Sequence, residues 1–120
     1  MPYIIVVNRP GHLPEADPVA VATVEEARDR AADDVRTSMD AFGDDREALQ
    51  RYGFLDAELA AMDVPEHGGT IGPMSDGYVI DVQFYTWLEM RAKTDVITVG
   101  QYPSDSEKEL IIDHYNGGTR

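Results

Sequence analysis

The side chains able to do chemistry in this chain are overwhelmingly carboxylates: 23 Asp and Glu stand against 10 Lys and Arg, with 3 His and no Cys. Without cysteine there is no thiolate nucleophile, no disulfide framework and no Cys-based zinc or iron–sulfur site. A histidine-based metal site needs at least two of His12, His67 and His114 to converge with a carboxylate. The sequences His12-x-x-Glu15-x-Asp17 and Asp63-x-x-Glu66-His67 fall in loops and lack the helical i, i+4 pair of HExxH, so chance clustering in an acidic chain accounts for them. Calcium is the natural cation for so many oxygens. The densest candidate, Asp40 to Arg51, has Asp at positions 1, 5 and 6 and Arg at 12, where an EF-hand loop needs Gly at 6 and Glu at 12. The expectation is no metal and no cofactor.

Nucleophile motifs fail as well. Ser38, Ser75, Ser104 and Ser106 have no GxSxG elbow around them, and His67-Gly68-Gly69 matches an oxyanion loop in three letters only. Gly69-x-x-Gly72 is followed by no Gly-Lys-Ser/Thr, so no lysine stands ready for phosphate. The adjacent carboxylates Asp33-Asp34 and Asp44-Asp45 could share a proton, but acid–base work needs burial or a cleft to tune them, and both pairs read as solvated. No catalytic residue emerges, and the expected protein is non-enzymatic.

What does emerge is the placing of charge. From Glu15 to Glu66, fifteen acids face Arg28, Arg30, Arg36, Arg46 and Arg51, a net of −10 out of −13 for the whole chain. Glu25, Asp29 and Asp33 recur at i, i+4, which stacks them ~6 Å apart on one side of a helix. Glu26 with Arg30 and Arg36 with Asp40 have the spacing to offset part of that repulsion. Either this is a solvated face that keeps the protein soluble, or it meets a basic partner surface. The residues expected to make contact are Glu25, Asp29, Asp33, Asp40, Asp44 and Asp45.

Those acids need elements to hold them. Thr23-Val24-Glu25-Glu26 is a capping box, and Val24, Ala27, Ala31, Val35, Met39 and Phe42 then advance by 3 or 4 along one stripe, predicting a helix from Val24 that Gly43 ends. Asp44 and Asp45 cap a second helix from Arg46 to about Met62, which Gly53 interrupts either as a kink or by dividing it into two short helices, the second recapped by Asp56. Ahead of them, Tyr3 to Val7 is an unbroken strand-forming run closed by Pro10-Gly11, a strand buried on both faces and central in its sheet. A Pro-rich loop to Pro18 leads to a short strand at Val19 to Ala22, an antiparallel neighbour of the first. Thr70-Ile71-Gly72 is a strand fragment; Tyr78 to Tyr85 is the surest strand, with Tyr78, Ile80, Val82 and Phe84 on its buried face. Thr86 with Glu89, and Ser104 with Glu107, cap a short helix to about Ala92 and a C-terminal helix closed by Gly117, with a strand expected at Val96 to Val99 between them.

The resulting class is α+β: a small, mostly antiparallel sheet with helices packed on one face, in the order β-β-α-α-β-α-β-α. A length of 120 residues with 42% apolar content fits one domain, 1–120, with its own core. At pI ≈ 4.3, direct binding to nucleic acid or anionic membrane would oppose the protein's own field. The first residues carry no basic n-region or cleavage site, and their apolar run is far below the ~20 residues of a membrane span, so a cytoplasmic protein is expected.

The opening YIIVVNRPGHLPEADPVAVATVEEARDRAADDVR, with GTIGP from Gly69 and the closing IIDHYN, resembles small acidic proteins of unknown function from actinobacterial phages and their hosts. The resemblance implies a phage or mobile-element setting in a host cytoplasm and transfers no site residues. The expected function is that of an acidic protein-binding accessory factor engaging a basic surface of a host or phage protein. One alternative is a DNA mimic that inhibits a host nucleic-acid-binding protein, with five arginines in the acidic segment counting against a pure mimic. The other is a homodimeric adaptor whose working surface draws on Tyr102-Pro103, Tyr115, Trp87, Phe54 and the Pro10–Pro18 loop.

Overall fold

Tyr3 to Val7 offers no polar position for a wet face, and in the computed structural model it forms an interior strand, β1 (Tyr3–Asn8). The structure describes residues 1–8, 18–74, 77–97, 100 and 102–117. β2 (Val19–Val21) lies antiparallel on one side of β1 and β4 (Val79–Phe84) on the other, with Tyr3 opposite both Val21 and Phe84. β3 (Gly69–Ile71) pairs antiparallel with β4, giving the order β2-β1-β4-β3 among the described residues. Helices α1 (Val24–Met39), α2 (Arg46–Arg51) and α3 (Phe54–Met62) separate β2 from β3, and α4 (Trp87–Ala92) and α5 (Asp105–Tyr115) follow β4. The fold is α+β with an antiparallel sheet, as expected.

One expected strand is placed differently. Val96 and Ile97 lie outside the sheet, while Thr98 and Val99 are outside the described residues. The Val96 N–H is taken by the Thr94 hydroxyl at 3.3 Å rather than by a neighbouring strand, and Ile97 is 92% exposed. The fragment at Gly69 provides the fourth strand instead.

The expectation that helices cover one face holds for α1 to α3 and needs correction for the rest. Tyr3 and Ile5 pack with Ile71, Ile80 and Val82 against Ala27, Ala31 and Val35 of α1 and Ala57 and Ala61 of α3. Ile4 and Ala20, on the opposite face, pack with Trp87 and Met90 of α4 and Ile111 of α5. The reason lies in β1 itself: a strand apolar at every position needs cover on both sides, since each exposed Ile or Val would forgo about 1.5–3 kcal/mol of burial. The second layer stops short of β3, where Thr70 donates to the Asp81 carboxylate at 2.8 Å on a wet part of that face.

Local rules decide where the helices begin and end. The Glu26 N–H donates to the Thr23 hydroxyl at 3.2 Å, but the expected return bond differs: the Glu26 carboxylate accepts from that same hydroxyl at 3.1 Å instead of from the Thr23 amide. The full reciprocal box forms at Thr86 with Glu89 and at Ser104 with Glu107. A 3-10 turn, Asp40–Phe42, extends α1 to Gly43, whose φ of 59° ends it. The break at Gly53 is present; α3 starts there with no side-chain cap, so Asp56 contributes charge to its first turn rather than the expected recapping bond.

The outer edge of β2 is closed by one side chain. The carboxamide of Asn116, just past α5, accepts from the Ala20 N–H at 2.8 Å and donates to the Ala20 carbonyl at 2.9 Å, standing in for a strand neighbour. Ala20 is 1% exposed, so its backbone groups depend on that amide. Asn116→Ala is expected to lose about 2 kcal/mol, since two backbone groups are left unpaired, with Asn116→Asp falling in between because it keeps the acceptor. Urea denaturation measures this, and full stability in the alanine variant would show that the edge is satisfied another way.

Candidate functional site

The six acids singled out by the sequence all lie on the surface, but they do not form one uniform band. Glu25, Asp29 and Asp33 are exposed on successive turns of α1; Asp40 sits in the 3-10 turn, and Asp44 and Asp45 in the link to α2. From Glu25 to Asp40 the axis spans ~22 Å at 1.5 Å per residue. Two of these acids are engaged, Asp33 and Asp45. Arg36 approaches Asp33 at 3.6 Å and Glu58 of α3 at 3.0 Å, and Asp45 accepts from the Ala48 N–H at 3.1 Å as the N-cap of α2. Asp40 and Asp44 border a shallow groove of about 420 Å³ that Arg36 and Arg46 also line.

Two expected ion pairs are replaced. Arg30 turns away from Glu26 to Asp34 at 3.5 Å, and Arg36 turns from Asp40 to Asp33 and Glu58. Asp34 and Glu58 are the more buried of the chosen partners, and an ion pair there is less screened, whereas Asp33 is exposed. Asp34 also corrects the reading of Asp33-Asp34 as a solvated pair: its side chain is 17% exposed, and burial pushes its carboxyl above the ordinary carboxylate value despite Arg30. The signal for this was present in the sequence, because Asp34 adjoins Val35 and flanks the stripe that Ala31 and Val35 bury.

The α1 start is different in character. Glu25 and Asp29 have no ion-pair partner among the described residues. Glu25 faces a cleft of about 640 Å³ that is also lined by Tyr3, Glu66, His67 and Phe84. The cleft is built by β1, β4 and the turn before β3. In that turn the Gly68 N–H donates to the Pro65 carbonyl at 2.9 Å, and the Tyr3 hydroxyl donates to the Glu66 carbonyl. Arg28 donates to the Val64 carbonyl at 2.8 Å, fixing the same segment to α1. The Tyr3 phenol is raised above its ordinary pKa, first by burial and then by the charge of Glu66, with Glu25 adding to it and Arg28 opposing.

Phe84, expected in the core, is 41% exposed. β3 pairs with β4 only as far as Val82, so beyond it Phe84 has Tyr3 on one side, ring centroids 5.7 Å apart and edge-on, and the cleft on the other. Glu66 and Phe84 thus join Glu25 at a place that sequence spacing could not indicate. A second groove, about 570 Å³, lies between the start of α1 and α5 and is lined by Glu26, Asp105, Glu109, Asp113, Trp87 and Lys108 among others.

The proposed aromatic surface is mostly interior. Trp87 and Phe54 are 5% and 2% exposed, and Pro103 is buried; Tyr102 is 57% exposed but lies under the Lys108 ammonium at 5.1 Å. On α3, Leu59 and Met62 are 65% and 51% exposed. His114 is half-buried in the last turn of α5, and no group of three or more His, Asp or Glu is arranged for a metal among the described residues. No described helix is long and apolar enough to cross a membrane. His12, Ser75 and residues 10–17 of the Pro-rich loop lie outside the described residues. The chain matches no protein-family model, no curated protein and no solved structure.

Proposed function

We propose that the protein is a non-enzymatic accessory factor that binds a basic surface of another protein through its acidic helical face, in the phage and host-cytoplasm setting that the sequence resemblance implies. The observation that carries this reading is the uncompensated charge of the acidic segment: of the exposed acids Glu25, Asp29, Asp33, Asp40 and Asp44, Asp33 alone has an ion-pair partner among the described residues, the Arg36 that it shares with Glu58. An uncompensated row is repulsive, each like-charge pair at i, i+4 costing a few tenths of a kcal/mol, and a basic partner relieves that repulsion on binding.

The test compares the wild type with a Glu25→Gln, Asp29→Asn, Asp33→Asn, Asp40→Asn, Asp44→Asn variant as immobilised baits in nuclease-treated host lysate. Asp45 is kept because it caps α2. The wild type is expected to retain a basic protein that leaves at moderate salt, and the variant to retain none of it. Equal retention by both baits contradicts the reading. Displacement by duplex DNA would favour the mimic, against which Arg30 and Arg36 stand within the row.

A homodimeric adaptor is the second reading, and the exposed Leu59 and Met62 of α3 favour it more than the mostly buried aromatic residues do. It predicts retention that barely responds to salt, because apolar contacts are not screened.

A further inference from the structure

We propose that the cleft bounded by Tyr3, Glu25, Glu66 and Phe84 receives one arginine side chain of the basic partner, its guanidinium stacked on the Phe84 ring and held by the two carboxylates. This rests on the acidic-face reading and locates its anchor.

The sign of the ligand follows from the lining. The carboxylates of Glu25 and Glu66 outnumber the α-ammonium of Met1, which lines the cleft together with the His67 imidazole, and no Lys or Arg side chain lines it among the described residues. An anion would find little to bind at the start of α1, because the Glu26 N–H is already given to Thr23. Both carboxylates act on a common point, the Tyr3 phenol, whose proton is held more tightly by the charge of each. Arg28 weakens that field, but its Nε is given to the Val64 carbonyl.

The shape of the ligand follows from Phe84. It is exposed on the cleft side and steadied edge-on by Tyr3, so a flat cation can lie on its face. Guanidinium is planar, weakly hydrated and forked, matching one aromatic face and two carboxylates better than an ammonium. The neighbouring groove supplies an internal precedent for aromatic and acidic groups holding a cation. There Lys108 lies 5.4 Å from the centre of Trp87 and 5.1 Å from that of Tyr102, with Asp105 at 3.8 Å. The Tyr3–Phe84 cleft has the same kinds of group, aromatic rings beside carboxylates. Its walls are also set in advance by the Tyr3–Glu66 and Arg28–Val64 bonds, so little ordering is needed on binding.

The probe is acetyl-Gly-Arg-Gly-amide, titrated into the 15N-labelled protein at low salt, with the isosteric and neutral citrulline peptide as control. Saturable amide shifts are expected at Tyr3, Thr23 to Glu25, Glu66, His67 and Phe84, with none from citrulline. Glu25→Gln with Glu66→Gln should weaken binding by at least about tenfold, as loss of charge-assisted contacts requires. Phe84→Leu, which keeps the apolar bulk, should weaken it less but measurably. Shifts running along Asp29, Asp33, Asp40 and Asp44 with the cleft silent would overturn the anchor and leave the acidic face standing. No shifts anywhere would overturn both. Equal shifts from arginine and citrulline would overturn the electrostatic basis of the cleft.

Discussion

Gly68→Ala is expected to destabilise the protein by roughly 3 kcal/mol, a drop in Tm on the order of 10 °C, and to disorganise the wall of the cleft that carries Glu66. Gly68 has φ 81°, a left-handed conformation that L-residues enter at a penalty of about 1–2 kcal/mol. A Cβ there would also stand 2.3 Å from the Val82 carbonyl oxygen. That oxygen is backbone in an interior strand and cannot swing aside, so either β4 or the Pro65–Gly68 turn has to move. Gly69→Ala is the control: its φ is unremarkable, and its Cβ would meet only the Pro65 ring, at 3.9 Å. Thermal denaturation should separate the two substitutions clearly. Equal stabilities would mean that the turn before β3 is not held against β4 in solution.

The second large effect concerns the layer that the sequence did not anticipate. Ile111→Ala should cost about 2–4 kcal/mol, since Ile111 is 0% exposed and fills the space between β1 and α4 beside Ile4, Trp87 and Met90. Leu110, its neighbour on α5, is 49% exposed, and Leu110→Ala should change stability by less than about 1 kcal/mol. Comparing urea midpoints at unchanged m-value reads the difference directly. If the two variants were equally stable, α5 would not be docked on the sheet, and the Asn116 closure of β2 would fail with it.

Period and punctuation made most of this fold readable. The stripe from Val24 to Phe42, the break at Gly53 and the paired caps at Thr86 and Ser104 are local features, set by contacts within a turn or two of chain, and a sequence displays them fully. The unbroken apolar run of β1 also carried the information that both faces are covered, and it was in conflict with a one-sided arrangement of helices from the start. The strand expected at Val96 shows the opposite limit. A β-branched pair has strand propensity, but the Thr94 hydroxyl takes the Val96 amide, and a local bond of this kind competes with any ladder.

The site was legible only along the chain. Glu25, Asp29 and Asp33 announce themselves by spacing, and their exposure on α1 follows from the stripe they avoid. Which acids keep their charge uncompensated depends on contacts between distant segments: Arg36 reaches Glu58 on α3, and Glu66 and Phe84 arrive at Glu25 through the sheet register and the turn at Gly68. Phe84 was misplaced for the same reason, because the alternation of β4 gives its side but not the point where β3 ends. Asn116 gave no signal at all, since its role is defined by Ala20, 96 residues earlier.

The measurement that bears most directly on the central claim is the affinity of the wild type for the basic protein it retains, determined at about 50 mM and about 300 mM monovalent salt. An acidic face meeting a basic surface predicts at least a tenfold rise in Kd across that range, with the five-site charge variant already weak at the lower salt. A Kd that stays the same at both salts, in both proteins, would contradict it and place the interface on the apolar side of α3.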